Sequence, residues 1–247
     1  MDSRPARTRH RPADAVEADE ELAETLDSLD GASHYAKWIF DLLEPYLGPR
    51  VLEVGAGHGT FTELMANGRH VVATDLSPRC ITELRERFAG RSEVDVLATD
   101  VAGAGSHGPF EAAVLINVLE HIEDDDGALR DLASALHPGG RLILWVPAFE
   151  SLYSDFDRRV GHHRRYRVPE LRAKLTTAGL ELVEIRYVNA AGAIVWWIFA
   201  RQLRRNPTSP RSSKLFDRIA VPVVRRVERH IRMPFGQSVF AVATRSD

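Results

Sequence analysis

Arg50-Val-Leu-Glu-Val-Gly-Ala-Gly-His-Gly-Thr60 decides the fold of this chain. Val51, Leu52 and Val54 form a short apolar run of the kind that becomes a buried parallel strand. Gly55, Gly57 and Gly59 follow at alternate positions, and a helical pattern begins near Thr60. Glycines let the backbone pass where a Cβ would strike a ligand, and a helix N-terminus offers free N–H groups, so strand, glycine turn and helix together predict a nucleotide site. A second apolar run, His70–Thr74, ends at Asp75, twenty positions beyond Gly55. A carboxylate so placed can accept both hydroxyls of a ribose. The loop is not the dinucleotide fingerprint Gly-x-Gly-x-x-Gly: its third glycine falls one position early, and Thr60 stands where that pattern needs glycine.

Outward from this loop the chain alternates strands and helices. A helix is expected over 78–88, a strand over 94–98, and another over 112–116 that runs into Asn117-Val-Leu-Glu-His-Ile122. Asp124, Asp125 and Asp126 open a helix to Leu136, where acids complement the helix dipole. Pro138-Gly-Gly140 turns into a strand over 141–146; a helix to Ala178 and strands over 182–188 and 238–244 follow. This order predicts an α/β doubly wound domain.

Glu53-x-Gly55-x-Gly57-x-Gly59 with Asp75 resembles the S-adenosylmethionine site of class I methyltransferases. The resemblance implies a Rossmann-like, seven-stranded, mostly parallel sheet with an antiparallel last strand, helices on both faces and a helical insertion or lid. It implies S-adenosylmethionine as cofactor and S-adenosylhomocysteine as product. The matching cofactor positions are Glu53, Gly55, Ala56, Gly57, Asp75, Leu76, Asp100, Val101 and Asn117. For Asp100 the alternative is a turn residue capping a loop. A helix over 33–43 would cover the methionine end of the cofactor with Tyr35 or, less directly, Trp38, unless these aromatics only pack. Residues 1–17 read as a disordered tail and 18–247 as the methyltransferase domain, with substrate-side insertions near 149–168 and 190–236.

Methyl transfer from a sulfonium is an in-line displacement with an activated donor, so the protein must chiefly align donor and acceptor and exclude water. A base is needed where the acceptor loses a proton. His121, directly after the fourth strand, is the first candidate, with His162 and His163 as alternates; a structural histidine is the competing reading for His121. The segment Asp157-Arg-Arg-Val-Gly-His-His-Arg-Arg-Tyr166 resembles a bacterial subgroup active in lipid and natural-product pathways. Arg164 and Arg165 suit a phosphate or carboxylate, with Tyr166 as an orienting hydroxyl, unless the arginines pair internally with Asp155 or Asp157. No local spacing of histidines and acids forms a ready-made ligand set, so no metal is expected, although residues brought together from distant segments stay open.

The 247 residues suit one domain with additions, and their 44% hydrophobic and 27% charged content is that of a globular protein. A lone cysteine, Cys80, suits a reducing cytoplasm, and the basic-then-acidic start has no signal-peptide core. The net charge of −3 conceals an asymmetry: residues 158–232 carry 18 Arg and Lys against five acids. That half points toward anionic partners or is a solvated basic face. Its apolar window over 190–200 contains Trp196 and Trp197 and is too short to span a bilayer. Core or dimer contact, a lid over a greasy acceptor (with Trp196 touching it), and an interfacial helix with peripheral membrane contact are the open readings. A linker is expected over 206–213, and a basic amphipathic helix over 215–232 interrupted at Pro222. The expected partner is a small acceptor of anionic or apolar character, such as a prenyl compound, glycolipid or secondary metabolite. RNA is the weaker alternative, for want of an aromatic basic platform. A cofactor-binding regulatory module without turnover is the alternative from another class, and a homodimer is allowed.

Overall fold

The computed structural model describes residues 33–198 and 210–246. The expected tail and the rest of the chain before Ser33, residues 199–205 and the first part of the expected linker lie outside the described residues. A seven-stranded sheet in the order β3-β2-β1-β4-β5-β7-β6 forms the frame. Its strands are β1 (Arg50–Val54), β2 (His70–Asp75), β3 (Val94–Ala98), β4 (Phe110–Ile116), β5 (Leu136–Pro147), β6 (Leu180–Val188) and β7 (Ser238–Arg245). The first five pair in parallel, while β7 runs antiparallel to both β5 and β6. The resemblance implied this architecture.

The central strands are buried on both faces, which is why β1, β4 and β5 read as nearly unbroken apolar runs. One face packs α1 (Ser33–Leu43), α2 (Thr60–Met65) and α3 (Pro78–Arg87) around Ile39, Leu43, Met65 and Leu84. The other packs α5 (Asp125–Ala135) and α7 (Val168–Thr177) around Leu129, Leu132, Leu171 and Leu175. Between them in sequence lie two short helices, α4 (Val101–Gly105) and α6 (Asp155–Arg159).

Two expectations at glycine and proline positions are corrected. Pro138-Gly139-Gly140 does not precede the fifth strand but lies inside it, with Gly139 at φ +76°. Leu136 already pairs with Phe110 before a register shift carries the ladder on to Arg141. Pro222 does not interrupt the C-terminal helix, and residues 210–213 are helix rather than linker: α9 runs from Pro210 to Glu228 with Pro222 inside it.

What fastens α9 is its few acids. Asp217 accepts from the backbone N–H groups of His34 and Tyr35 at 3.2 and 2.7 Å, capping the start of α1. Glu228 accepts from the N–H groups of Asn189 and Ala190 at 2.9 and 2.8 Å, where β6 passes into α8 (Ala190–Trp196). Arg225 pairs with Asp41. Asp217, Val221 and Glu228 therefore face the protein, and Ile219, Val223 and Val227 form an exposed stripe at helical spacing between Arg218, Arg226 and Arg229.

Candidate active site

The carboxyl ends of β1, β2 and β4 converge on the glycine loop. Gly55, Gly57 and Gly59 all take positive φ, at +70°, +55° and +81°, a region in which L side chains are strained. Gly55 is also confined: a Cβ there would lie 2.4 Å from Cγ2 of Val118, in the turn after β4. The glycine loop and the turn after β4 therefore approach each other too closely here for a side chain.

Asp75 closes the loop from β2. Its Oδ2 accepts from Gly57 N–H at 2.9 Å and its Oδ1 from Ser77 N–H at 2.8 Å. A carboxylate has about four acceptor sites, so both oxygens keep capacity for a diol. Leu76 beside it is 73% exposed, an apolar side chain with no role in the core. Ala56 is buried beneath the loop.

Glu53 is buried and accepts from the Thr62 hydroxyl. Burial, opposed by that hydrogen bond and reinforced by Asp75, pushes its carboxyl up to about 8. Asp100 caps α4, accepting from Gly103 N–H at 2.9 Å, while Val101 is buried behind it. The capping role left open for Asp100 is thus the one this geometry contains. Asn117 sits at φ +53°, where asparagine is among the few residues tolerated, and its N–H donates to Trp145 O at 2.7 Å.

Tyr35 stands edge-on to Trp38 and Trp145, with ring centroids 6.0 and 6.1 Å away. Burial raises its phenol to about 12. Trp38 is buried, as the packing alternative expected.

The acceptor side is built from buried charge. After β5 the chain forms a loop whose hub is Asp157, which is fully buried. It accepts from His162 Nδ1–H at 2.8 Å, Arg165 Nε–H at 2.8 Å, and the backbone N–H and hydroxyl of Ser154 at 2.8 and 3.0 Å. Burial alone would raise this carboxyl, but His162 and Arg165 outweigh it and hold it at about 2. Arg165 also lies over the Trp196 ring, 5.0 Å from its centroid. Trp196 is itself buried, donating from Nε1 to Leu152 O at 3.0 Å and meeting Phe156 edge-on.

Tyr166 is fully buried and donates to Asp125 Oδ2 at 2.9 Å. Lys174 Nζ donates to Asp125 Oδ1 at 3.0 Å, and Arg164 pairs with Asp125 while donating to Glu123 O at 2.7 Å. Arg165, Tyr166 and Trp196 therefore engage their polar groups inside the protein, and for Arg165 this is the internal pairing with Asp157 left open in the sequence. Asp125 also does more than complement the α5 dipole, because it gathers three donors from the far side of the loop.

His121 and His162 meet edge-on with ring centroids 4.6 Å apart. Burial, with His162 and His163 nearby, lowers His121 to about 3, so its ring is neutral. His163 is exposed and only its backbone is engaged, donating N–H to Glu120 O at 2.8 Å. Glu120 was not singled out in the sequence, yet it is fully buried, neither of its carboxylate oxygens has a hydrogen-bond partner, and burial pushes it up to about 8. Its only local signal is adjacency to His121. Glu120, His121 and His162 each turn a ligand atom to within 4.8 Å of the others, a cluster that no local spacing announces.

A methyltransferase-domain family model matches residues 14–185. The chain belongs to the methyltransferase-domain family. The ubiquinone biosynthesis O-methyltransferase of Xanthomonas axonopodis pv. citri (strain 306) is 33% identical over 160 residues, 58% of this chain and 66% of that protein. The counterpart from Xanthomonas euvesicatoria pv. vesicatoria (strain 85-10) is 32% identical over 155 residues, 56% of this chain and 65% of the other. The chain thus spans just under two thirds of the length of these curated relatives. Among solved structures, the Burkholderia thailandensis 1,6-didemethyltoxoflavin-N1-methyltransferase superposes with a TM-score of 0.59 at 18% identity, covering 98% of this chain and 93% of that one. The N-methyltransferase NodS from Bradyrhizobium japonicum WM9 superposes with a TM-score of 0.56 at 19% identity, covering 87% and 86%. At these identities the structural neighbours establish the fold, and this methyltransferase domain shares it with enzymes that methylate nitrogen as well as with relatives named for oxygen.

Proposed function

We propose that this methyltransferase domain binds S-adenosylmethionine at the glycine loop and transfers its methyl group to a hydroxyl of a small acceptor. The observation that carries the reading is Asp75, tied to the backbone of Gly57 and Ser77 with acceptor capacity left over, beside the exposed Leu76. That arrangement suits a ribose diol with an adenine lying on leucine. Glu53, Gly55, Ala56, Gly57, Asp100, Val101 and Asn117 complete the donor side, with Tyr35 toward the methionine end. The oxygen acceptor is taken from the O-methyltransferase relatives.

In the transfer, a lone pair of the acceptor oxygen forms the O–C bond as the C–S bond breaks, its electrons returning to sulfur as the neutral thioether of S-adenosylhomocysteine. The acceptor gives up its hydroxyl proton. His121, in the turn after β4, is the candidate group on that side, with His162 and His163 behind it. The resemblance of the Gly161–Tyr166 segment to the bacterial lipid and natural-product subgroup supports an acceptor of that kind. The arginine-flanked apolar stripe of α9 suits an acceptor with a prenyl or acyl tail presented at a membrane surface. No helix among the described residues is long and apolar enough to cross a membrane.

Calorimetric titration with S-adenosylmethionine, S-adenosylhomocysteine and NADH tests the donor half. Both adenosyl ligands should bind and NADH should not, and Asp75→Ala should weaken binding by about 10- to 100-fold, the range expected for charge-assisted hydrogen bonds. Tight NADH binding without adenosyl binding would defeat the reading. Binding with no turnover across hydroxylated prenyl, glycolipid and phenolic acceptors would favour a regulatory module instead.

A further inference from the structure

We propose that Glu120, His121 and His162 form a site for one divalent transition-metal ion on the acceptor side of the domain. The ion-binding claim stands on these residues alone; the use of the ion to hold an acceptor hydroxyl rests on the function proposed above.

Glu120 carries the first argument. Buried polar groups almost always find hydrogen-bond partners, yet both oxygens of this fully buried carboxyl lack one. Protonation mends only half of this: the acid O–H could turn toward His162 Nε2, 3.8 Å away, but the second oxygen would still lack a partner. A cation beside the carboxylate satisfies both the charge and the lone pairs.

His162 carries the second. Its Nδ1–H is committed to Asp157 at 2.8 Å, which leaves Nε2 as the lone-pair nitrogen, 3.8 Å from Glu120 Oε1. A histidine that ligates a metal through one nitrogen characteristically donates the other N–H to a carboxylate, which fixes the tautomer and the ring plane. Asp157 is in turn held by Arg165 and Ser154, so the orientation of His162 is built rather than incidental. His121 supplies the third ligand, edge-on to His162.

The three ligand atoms lie within 4.8 Å of one another. Metal–ligand bonds of about 2.0–2.2 Å ask for ligand pairs roughly 3–3.5 Å apart, so a small inward rotation of the side chains closes the set. Two imidazoles and one carboxylate suit Zn²⁺, Mn²⁺, Fe²⁺ or Co²⁺; Mg²⁺ and Ca²⁺ prefer oxygen ligands. Three protein ligands leave positions open, as in sites where a metal binds substrate or water. Glu120 and His121 lie in the turn after β4 and His162 in the loop after β5, outside the strand ends where open sheets take their ligands. An acceptor hydroxyl on the ion would lose its proton more readily, to solvent water, with His121 serving as ligand in place of the base role given it above.

The test uses the full chain without an affinity tag, stripped with a chelator and titrated with Co²⁺ while the visible d–d absorption is followed. The expected result is one Co²⁺ per chain, displaced by Zn²⁺. Glu120→Gln, which keeps the shape of the side chain, should weaken binding by more than about 100-fold, and Asp157→Asn by about 10- to 100-fold as an orienting residue. S-adenosylhomocysteine is titrated into each protein in parallel. Adenosyl binding without any Co²⁺ bands in the wild type would overturn the metal site and leave the proposed function standing. Unchanged Co²⁺ affinity in both Glu120→Gln and His162→Gln would also overturn it. Co²⁺ binding without adenosyl binding would keep the site and remove the proposed function.

Discussion

The donor side and the acceptor side of this domain are held by opposite means. Around Gly55–Asp75 the geometry is made by backbone: positive-φ glycines, one carboxylate on two N–H groups, and a strand end on either flank. Around Tyr153–Tyr166 it is made by buried charge, with Asp157 and Asp125 as hubs for histidine, arginine, lysine and tyrosine. Backbone geometry is cheap to keep and expensive to decorate with a side chain. A buried charge network is the reverse: each member tolerates its place only because its partners are there. The donor side should therefore break when something is added, and the acceptor side when something is removed.

The largest expected effect is on the acceptor side. Asp157→Ala leaves Arg165 buried without its counter-charge and His162 without its acceptor, and should cost about 3–5 kcal/mol of unfolding free energy, measured by urea denaturation. A loss under about 1 kcal/mol, the scale of an exposed pair, would mean that the hub is solvated and the contrast is false. Next comes Gly55→Ala on the donor side. The left-handed conformation costs an L residue about 1–2 kcal/mol, and the new Cβ meets Val118 Cγ2. The expected outcome is a loss of about 2–3 kcal/mol, adding a clash of order 1 kcal/mol, together with loss of S-adenosylhomocysteine binding by calorimetry. Gly68→Ala, also at positive φ but with open space around it, should show the conformational cost alone.

These two substitutions also mark what could be seen in the sequence. Glycine spacing, strand runs and Asp75 are local patterns, so β1, β2, the loop and, through the resemblance, the mostly parallel seven-stranded sheet with its antiparallel last strand were all legible. Pro222 was misread because proline is judged by its own turn, whereas tertiary contacts at Asp217, Val221 and Glu228 hold α9 through it. Glu120 was invisible for a different reason. Its character comes from complete burial between segments distant in sequence, and nothing in Asn117-Val-Leu-Glu-His separates it from an exposed turn acid. For Arg165 the sequence left two neighbours open, a substrate anion or Asp157, because spacing shows that a side chain is charged and not which way it turns; the fold supplies Asp157.

A pH profile sharpens the contrast: burial chiefly raises Glu53 and Glu120, whereas basic and hydroxyl partners hold Asp125 and Asp157 low. Glu53 is raised to about 8, chiefly by burial. A carboxyl whose folded value lies above its unfolded value of about 4.3 stabilises the fold below that pH, and this contribution is lost as pH rises through about 8. Asp125 is lowered: burial would raise it, but Lys174, Tyr166 and Arg164 prevail. Its contribution is present above the unfolded value of about 3.9 and is lost as pH falls through its folded value. Stability should therefore decline toward acid through Asp125 and Asp157 and toward alkali through Glu53 and Glu120. Glu53→Gln, which imitates the neutral acid and keeps an acceptor for Thr62, should flatten part of the alkaline arm, leave the share of Glu120 and leave the acid arm unchanged, as read from melting temperatures between pH 5 and 9. An unchanged alkaline arm would show that Glu53 is already ionised in the free protein.

The smallest effect isolates the donor side from the fold. Leu76 is 73% exposed and contributes nothing to the core, so Leu76→Ala should change stability by less than about 0.5 kcal/mol. If adenine lies on this side chain, the ligand covers apolar surface that alanine cannot offer. One or two lost methylene-sized contacts, at about 0.8 kcal/mol each, correspond to roughly a four- to fifteenfold weaker Kd for S-adenosylhomocysteine. A fall in affinity at constant melting temperature would place Leu76 in the site and outside the fold, the complement of Asp157. Equal affinity would move the adenine elsewhere while leaving the ribose contact at Asp75 to be judged by its own substitution. Leu76 is a side chain that folding does not need, whereas among Asp157, Arg165 and Tyr166 folding has already claimed the polar groups.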